Sequence, residues 1–168
     1  VKLGRRHTTH DTLLTIEKIR SAGIANLSLD LMLRLPGQTL KDFQGSLDRA
    51  AELGPSQISL YDLEVHEDTV LGRLQKEKKL ELPDEEVHAA MYQAAIDTLT
   101  RAGYDHYEIS NFAKPRFASR HNLIYWHNQE YLGRGPGAFS YLEGMRYQFA
   151  ADLERYLMKC ETGNWHSQ

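Results

Sequence analysis

Residues 28–63 read SLDLMLRLPGQTLKDFQGSLDRAAELGPSQISLYDL. Leu27, Leu29, Leu31 and Leu33 alternate with Ser28, Asp30 and Met32, which predicts a strand over residues 26–33 with one apolar face. Pro36-Gly37 then turns the chain, and Thr39 is placed to cap a helix. Leu40, Phe43, Leu47, Ala50 and Ala51 recur at helical spacing over residues 40–53, and Gly54 ends that helix. A second apolar run, residues 57–63, reads as another strand. Strand, helix and strand joined by short turns are the signature of two parallel strands with a right-handed crossover.

The same order extends in both directions. Upstream, residues 9–22 carry Leu13, Ile16, Ile19 and Ala22 on one side of a helix closed by Gly23. Downstream, residues 64–82 hold the charged cluster Lys76-Glu77-Lys78-Lys79 and are expected to form a surface hairpin or a helical turn. A third helix opens at Pro83-Asp84-Glu85-Glu86, where proline and acids suit a first turn. Its stripe is Val87, Ala90, Met91, Ala94, Ala95 and Leu99; Gly103 closes it, and a strand runs over residues 104–109. A glycine after each helix suits the left-handed position at a helix C-terminus. Three helix–glycine–strand units make half of a (β/α) barrel or half of a doubly wound sheet.

Beyond Ile109 that pattern stops. Ser110, Asn111, Lys114, Pro115, Arg116 and Ser119 break any period, so a long loop is expected, rich in Phe112, Phe117, His121, Tyr125 and Trp126. Large aromatics with polar handles need a surface to lie on, either the protein's own core or a ligand. A glycine-rich turn at residues 133–137, a hairpin through residues 139–149 and a helix near residues 150–160 complete the reading. The expected division is residues 1–112 and residues 113–168.

Composition bounds the function. The 168 residues are 41% hydrophobic and 26% charged, which fits one soluble globular domain's worth of chain. Net charge is −3 with mixed signs, so charge indicates neither nucleic acid nor an anionic membrane as partner. No apolar run approaches the ~18 residues that span a bilayer. One cysteine, Cys160, permits no internal disulfide and no multi-cysteine metal site, and a reducing cytoplasmic setting is the natural expectation. The first residue is not methionine and a helix begins almost at once, which reads as a piece of a longer chain.

In parallel α/β folds, ligands sit beyond the carboxyl ends of the strands. Asp30, Asp62, Glu64, Glu108, Ser110 and Asn111 fall inside or just past predicted strands. Asp30 stands within an apolar strand, where a buried carboxylate must be paired; it is either a ligand-binding acid or half of an internal ion pair or cap. His7 with His10, and His121 with His127, are the close histidine pairs, and neither has a zinc-site spacing. His121 beside Tyr125 and Trp126 admits two readings: an iron-ligating imidazole with rings packed on a macrocycle, or a core histidine bonded to a carbonyl.

Several motifs occur together and in order. They are Leu3-Gly4-Arg5-Arg6-His7, Ser28 through Met32 with Leu35-Pro36-Gly37-Gln38-Thr39, and Ile58-Ser59-Leu60-Tyr61. Tyr107 through Ala113, His121-Asn122 with Tyr125-Trp126, Tyr131-Leu132-Gly133 and Gly135-Pro136-Gly137-Ala138 complete the set. Through these the chain resembles the radical S-adenosylmethionine (SAM) proteins related to oxygen-independent coproporphyrinogen III oxidase, and within them the HemW-like branch.

The resemblance implies the second half of a partial (β/α)6 TIM-like barrel, with parallel strands, outer helices and a C-terminal hairpin and helix. It implies Arg5 near the SAM carboxylate, Asp30 on the SAM ribose, Met32 near the adenine, and Glu108 to Asn111 on the same side. His121, Asn122, Tyr125 and Trp126 become a heme contact, with His121 as the iron ligand. The implied activity is heme binding and transfer, with decarboxylation of coproporphyrinogen III as the enzymatic alternative and a non-catalytic partner-binding module as the third. Implied partners are heme or porphyrin and a heme-accepting protein.

Two residues depart from the family's pattern. Arg34 stands where glycine is usual before Leu-Pro, and Arg134 replaces an apolar residue in the glycine-rich turn. The three-cysteine motif that holds the 4Fe–4S cluster does not occur in this stretch, so the stretch alone is expected to be inactive. A half barrel also exposes two sheet edges, and self-association is expected of the isolated piece.

Overall fold

Side-chain caps start the first two helices, α1 (Thr9–Ser21) and α2 (Leu40–Leu53). Thr8 and Thr39 accept from the backbone N–H groups of Asp11 and Asp42, whose carboxylates bond back to the cap residues. These reciprocal pairs satisfy N–H groups that a helix leaves without partners. The computed structural model describes residues 6–163. Their contacts divide into two compact units, one ending at Ala118 and the other beginning at Ser119.

The first unit is an α/β layer. Strands β1 (Ser28–Leu33) and β2 (Gln57–Asp62) pair in parallel, from Ser28 opposite Gln57 to Leu33 opposite Asp62. Helix α2 connects them and buries Phe43, Leu47 and Ala50, while Leu40 is 40% exposed at the start of the expected stripe. Gly54 ends α2 with φ +60°, the left-handed conformation that costs a glycine no side-chain clash. The excursion after β2 forms the short helix α3 (Val70–Lys76). Helix α4 (Glu85–Arg101) buries Met91, Ala95 and Leu99. These side chains join Phe43, Leu47, Ile58, Leu60, Tyr104 and Phe112 in one core, which closes a single face of the sheet.

The third helix–glycine–strand repeat, still within the first unit, departs from the expected all-parallel arrangement. Strand β3 (Asp105–Glu108) does not lie beside β2. The chain reverses at Ile109-Ser110 and returns as β4 (Asn111–Ala113), giving the order β1-β2-β4-β3. Strand β4 is antiparallel to both β2 and β3. The interruption of the period by Ser110 and Asn111 predicts a loop over residues 111–113, and the structure corrects it. The side chain of Glu108 accounts for the difference: it accepts from the Ser110 N–H at 3.2 Å and from the Asn111 amide, tying the reversal together. Phe112 and Ala113 then supply the apolar contacts that the edge of β2 needs, and both are buried.

The second unit contains helix α5 (Arg120–Trp126), the hairpin β5 (Phe139–Leu142) with β6 (Met145–Gln148), and α6 (Leu153–Thr162). The segment around His121, a loop by its irregular sequence, is instead a seven-residue helix. Ser119 caps it, with its hydroxyl accepting from the Asn122 N–H at 3.3 Å. Tyr131 pairs with Tyr141 through reciprocal backbone bonds of 2.9 Å, which docks the glycine-rich turn on β5. At Gly133 the carbonyl of Phe139 passes so close that an added Cβ would clash with its oxygen. Among the described residues, no helix is long and apolar enough to cross a membrane.

Two outcomes are expected of this packing. Phe43 is fully buried, so Phe43→Ala should cost about 3–5 kcal/mol in urea unfolding, and a loss below about 1 kcal/mol would contradict the assigned core. The Asp42 carboxyl is held below its ordinary value of 3.8, first by the Thr39 hydroxyl and then by the Thr39 backbone N–H. A depressed folded pKa contributes stability that is present above the unfolded value and is lost as pH falls through the folded one. Asp42→Asn should therefore destabilise at neutral pH, and its deficit should shrink below pH 3.8. A deficit of constant size down to pH 2 would remove the capping carboxylate as its cause.

Candidate functional site

The alternation that buries Leu29, Leu31, Ile58 and Leu60 against the helices turns Asp30, Met32, Ser59 and Tyr61 to the other face of the sheet. Asp30 lies opposite Ser59, Ser59 opposite Asn111, and Asn111 opposite Glu108, so one polar row crosses all four strands. Ser59 is 7% exposed and donates its hydroxyl to Asn111 Oδ1 at 2.6 Å, while the Asn111 amide donates to Glu108. Tyr92 approaches the same hairpin from α4 and donates to the Ile109 carbonyl at 2.6 Å. Burial raises the Tyr92 phenol above its usual pKa of 10.0, and the charge of Glu108 adds to the shift.

A cavity of about 770 Å³ opens at the carboxyl ends of β1 and β2, beside the turn after β3. Asp30, Met32, Tyr61, Asp62, Ser110 and His7 are among its lining residues. Its volume falls within the range typical of small-molecule sites. The apolar strand around Asp30 predicts burial, but Asp30 is exposed, because no element among the described residues of this unit covers that face of β1. Its carboxylate has no hydrogen bond or ion pair among the described residues, so the internal salt bridge considered from sequence is absent there. An unengaged carboxylate on a cavity wall can accept from a pair of hydroxyl groups such as a ribose diol. Met32, half-buried beside it, offers a polarisable surface.

The rim of this cavity is tied to α4. Asp62 lies 3.0 Å from His88 Nε2, and Glu85 lies 3.8 Å from His88 Nδ1 and 2.6 Å from Arg34. Arg34 has φ +60°. That left-handed conformation favours glycine, and a side chain there is strained by about 1–2 kcal/mol. Arg34 also carries a buried Nε without a hydrogen-bond partner among the described residues.

In the second unit, the spacing His121/Tyr125 places both rings on one side of α5. They share a 3.1 Å hydrogen bond between Tyr125 Oη and His121 Nε2 and meet edge to face at 4.9 Å. Tyr125 continues onto Tyr131, with centroids 4.6 Å apart, and Tyr131 onto Tyr141 at 6.5 Å. His121, Tyr125 and Trp126 are exposed, whereas Asn122 is half-buried. The core-histidine alternative is therefore set aside: the imidazole lies at the surface, held by a phenol rather than by a carbonyl.

No family model matches the chain. Among curated proteins, the heme chaperone HemW of Lactococcus lactis subsp. lactis is 39% identical over 161 residues, which is 96% of this chain and 42% of that protein. The heme chaperone HemW of Bacillus subtilis is 40% identical, over 93% of this chain and 41% of that protein. Over the region it spans, the chain is HemW-like. It spans about two fifths of the length of these relatives. Among solved structures, the coproporphyrinogen III oxidase HemN from Escherichia coli, described as a radical SAM enzyme, superposes with a TM-score of 0.73 at 22% identity. That match covers 96% of this chain and 40% of HemN, and it shows that this stretch shares the fold of the corresponding part of HemN.

Of the positions singled out from sequence, the cavity brings together Asp30, Met32, Asp62, Glu64 and Ser110. Glu108 and Asn111 stand behind it in the hydrogen-bonded row. Arg5 lies outside the described residues. Sequence spacing does not single out His7, Tyr61 or His88 for this cavity. Tyr61 and Ser59 are legible only when the second face of β2 is read with the weight given to the first. His88 carries no such signal, since its partner Asp62 is 26 positions away in the chain.

Arg34 yields a paired test. Arg34→Gly relieves the backbone strain and the unpaired Nε, and should raise stability by about 1 kcal/mol despite losing the Glu85 contact. Arg34→Ala keeps the strain and loses the contact, and should not be stabilising. A glycine variant no more stable than the alanine variant would show that φ at this position is not strained.

Proposed function

We propose that this chain is the later barrel portion of a radical SAM protein that binds heme and passes it on, a heme chaperone of the HemW kind. The observation that carries this reading is the HemW likeness across 96% of the chain, a span containing both the Asp30 cavity and helix α5. In this reading Asp30 receives the ribose hydroxyls of SAM, Met32 lies against its adenine, and Arg5 takes its carboxylate. The acceptor of Asp30, free among the described residues, and its place in the wall of a cavity at the strand ends support that assignment. His121 ligates the heme iron after parting from the Tyr125 hydroxyl, while Asn122, Tyr125 and Trp126 flank the macrocycle.

Bound SAM is a source of reductively generated radicals when a 4Fe–4S cluster donates an electron. The cluster does not fit the residues present here. Cys160 is the one cysteine of the sequence, and no group of three metal-binding side chains occurs among the described residues. We assign the cluster ligands to the longer protein. A heme-accepting protein is the remaining partner, in a cytoplasmic setting consistent with the single cysteine. Strands β1 and β3 end the sheet, so the isolated piece pairs through those edges, and light scattering at ~100 μM should find it larger than a monomer.

Hemin titrated into the full-length protein should develop a Soret band, and His121→Ala should shift that band and weaken binding at least tenfold. An unchanged spectrum and affinity would remove His121 as the ligand. Asp30→Ala should weaken SAM binding at least tenfold in calorimetry while leaving hemin binding unchanged. Robust anaerobic conversion of coproporphyrinogen III by the reconstituted protein would replace the chaperone reading with the oxidase.

A further inference from the structure

The second unit holds a cavity of about 560 Å³ of which the heme reading uses only Tyr125. Tyr125, Tyr131 and Phe139 give it aromatic walls, Gly133 and Ala138 a small-residue floor, and Arg134 and Arg146 its positive charge. The guanidinium of Arg146 lies 5.8 Å over the ring of Tyr141, which pairs with Tyr131. Neither arginine has a carboxylate partner among the described residues. The Glu130 carboxylate instead accepts from the Glu143 N–H at 2.5 Å.

Three features give this cavity a chemical preference. Aromatic faces favour a planar, conjugated ligand. A guanidinium matches a carboxylate with two parallel hydrogen bonds, which an ammonium cannot reproduce. The backbone holding Arg134 is also well anchored. Gly133 N–H donates to the Ser140 hydroxyl at 3.0 Å, and Gly135 N–H donates to Tyr156 Oη at 3.2 Å. The close approach of the Phe139 carbonyl to Gly133 admits no side chain at that point. Arg134 thus projects from a braced turn, and less freedom is lost when it engages a ligand.

We propose that Arg134 and Arg146 bind the carboxylate side chains of a planar tetrapyrrole whose ring lies across Tyr125, Tyr131 and Phe139. The proposal rests on the heme reading and deepens it. Tyr125 belongs both to this cavity and to the His121 pair, so one ring joins the iron-ligand side to the carboxylate side.

The test uses the full-length protein with hemin and with hemin dimethyl ester, whose carboxylates are masked. Unmutated protein should bind hemin at least tenfold more tightly than the ester. The double variant Arg134→Gln/Arg146→Gln should lose that preference and keep the Soret position, because the iron ligand is untouched. Arg155→Gln, on α6, controls for the loss of positive charge and should retain the preference. Equal affinity of the unmutated protein for the two ligands, an arm independent of how the variants fold, would overturn the proposal and leave the heme reading standing. Retention of the preference by a folded double variant would do the same. Failure of the unmutated protein to bind hemin at all would overturn both.

Discussion

The first unit depends on burial of one face of its sheet by α2 and α4. Leu33, Ile58, Leu60 and Phe112 point to that face, and Phe43, Leu47, Met91, Ala95 and Leu99 meet them from the helices. Each of these side chains other than Ala95 contributes roughly 1.5–3 kcal/mol when taken out of water. Because side chains alternate along a strand, assigning one set to the helices delivers the other set to the opposite face. Asp30, Ser59, Asn111 and Glu108 come into line across four strands for this reason. The position of the candidate site is thus a consequence of core packing.

Within that row the polar groups divide by burial. Ser59 and Asn111 satisfy each other and Glu108, as groups shielded from water must. Glu108 has a second task, since its carboxylate closes the reversal that brings β4 back against β2. Asp30, exposed on the cavity wall, keeps an acceptor that is unengaged among the described residues. The side chains that shape the hairpin are bonded to one another, whereas Asp30 has no such bond among the described residues.

Arg34 and Gly133 illustrate opposite responses to a tight backbone. At position 34 the left-handed conformation is retained with a side chain, which reaches Glu85 and through it the His88–Asp62 pair. An exposed ion pair of this kind contributes little by itself, so the strain is offset only in part. At position 133 the limit is contact with a neighbouring carbonyl rather than φ, and no rearrangement of a flexible side chain can relieve it.

The sequence by itself determined the α/β class, the boundaries of α1, α2 and α4 to within a residue or two, and the pairing of β1 with β2. These arise from periodicity, caps and glycines, all of which act over a few residues. It also marked Asp30 and Ser110, because polar groups within or just past a strand stand out against apolar alternation, while Met32 was marked by the family resemblance. Only the tertiary structure decided that Asp30 is exposed, that residues 111–113 form a strand between β2 and β3, and that His121 and Tyr125 share a helix turn. The first two depend on what lies across the sheet, and the third on a Ser119 cap hidden within an irregular, polar run. Contacts such as Asp62 with His88, or Ser59 with Asn111, join positions far apart in the chain. Local spacing carries no signal for them; they arise when the core sets strands and helices side by side.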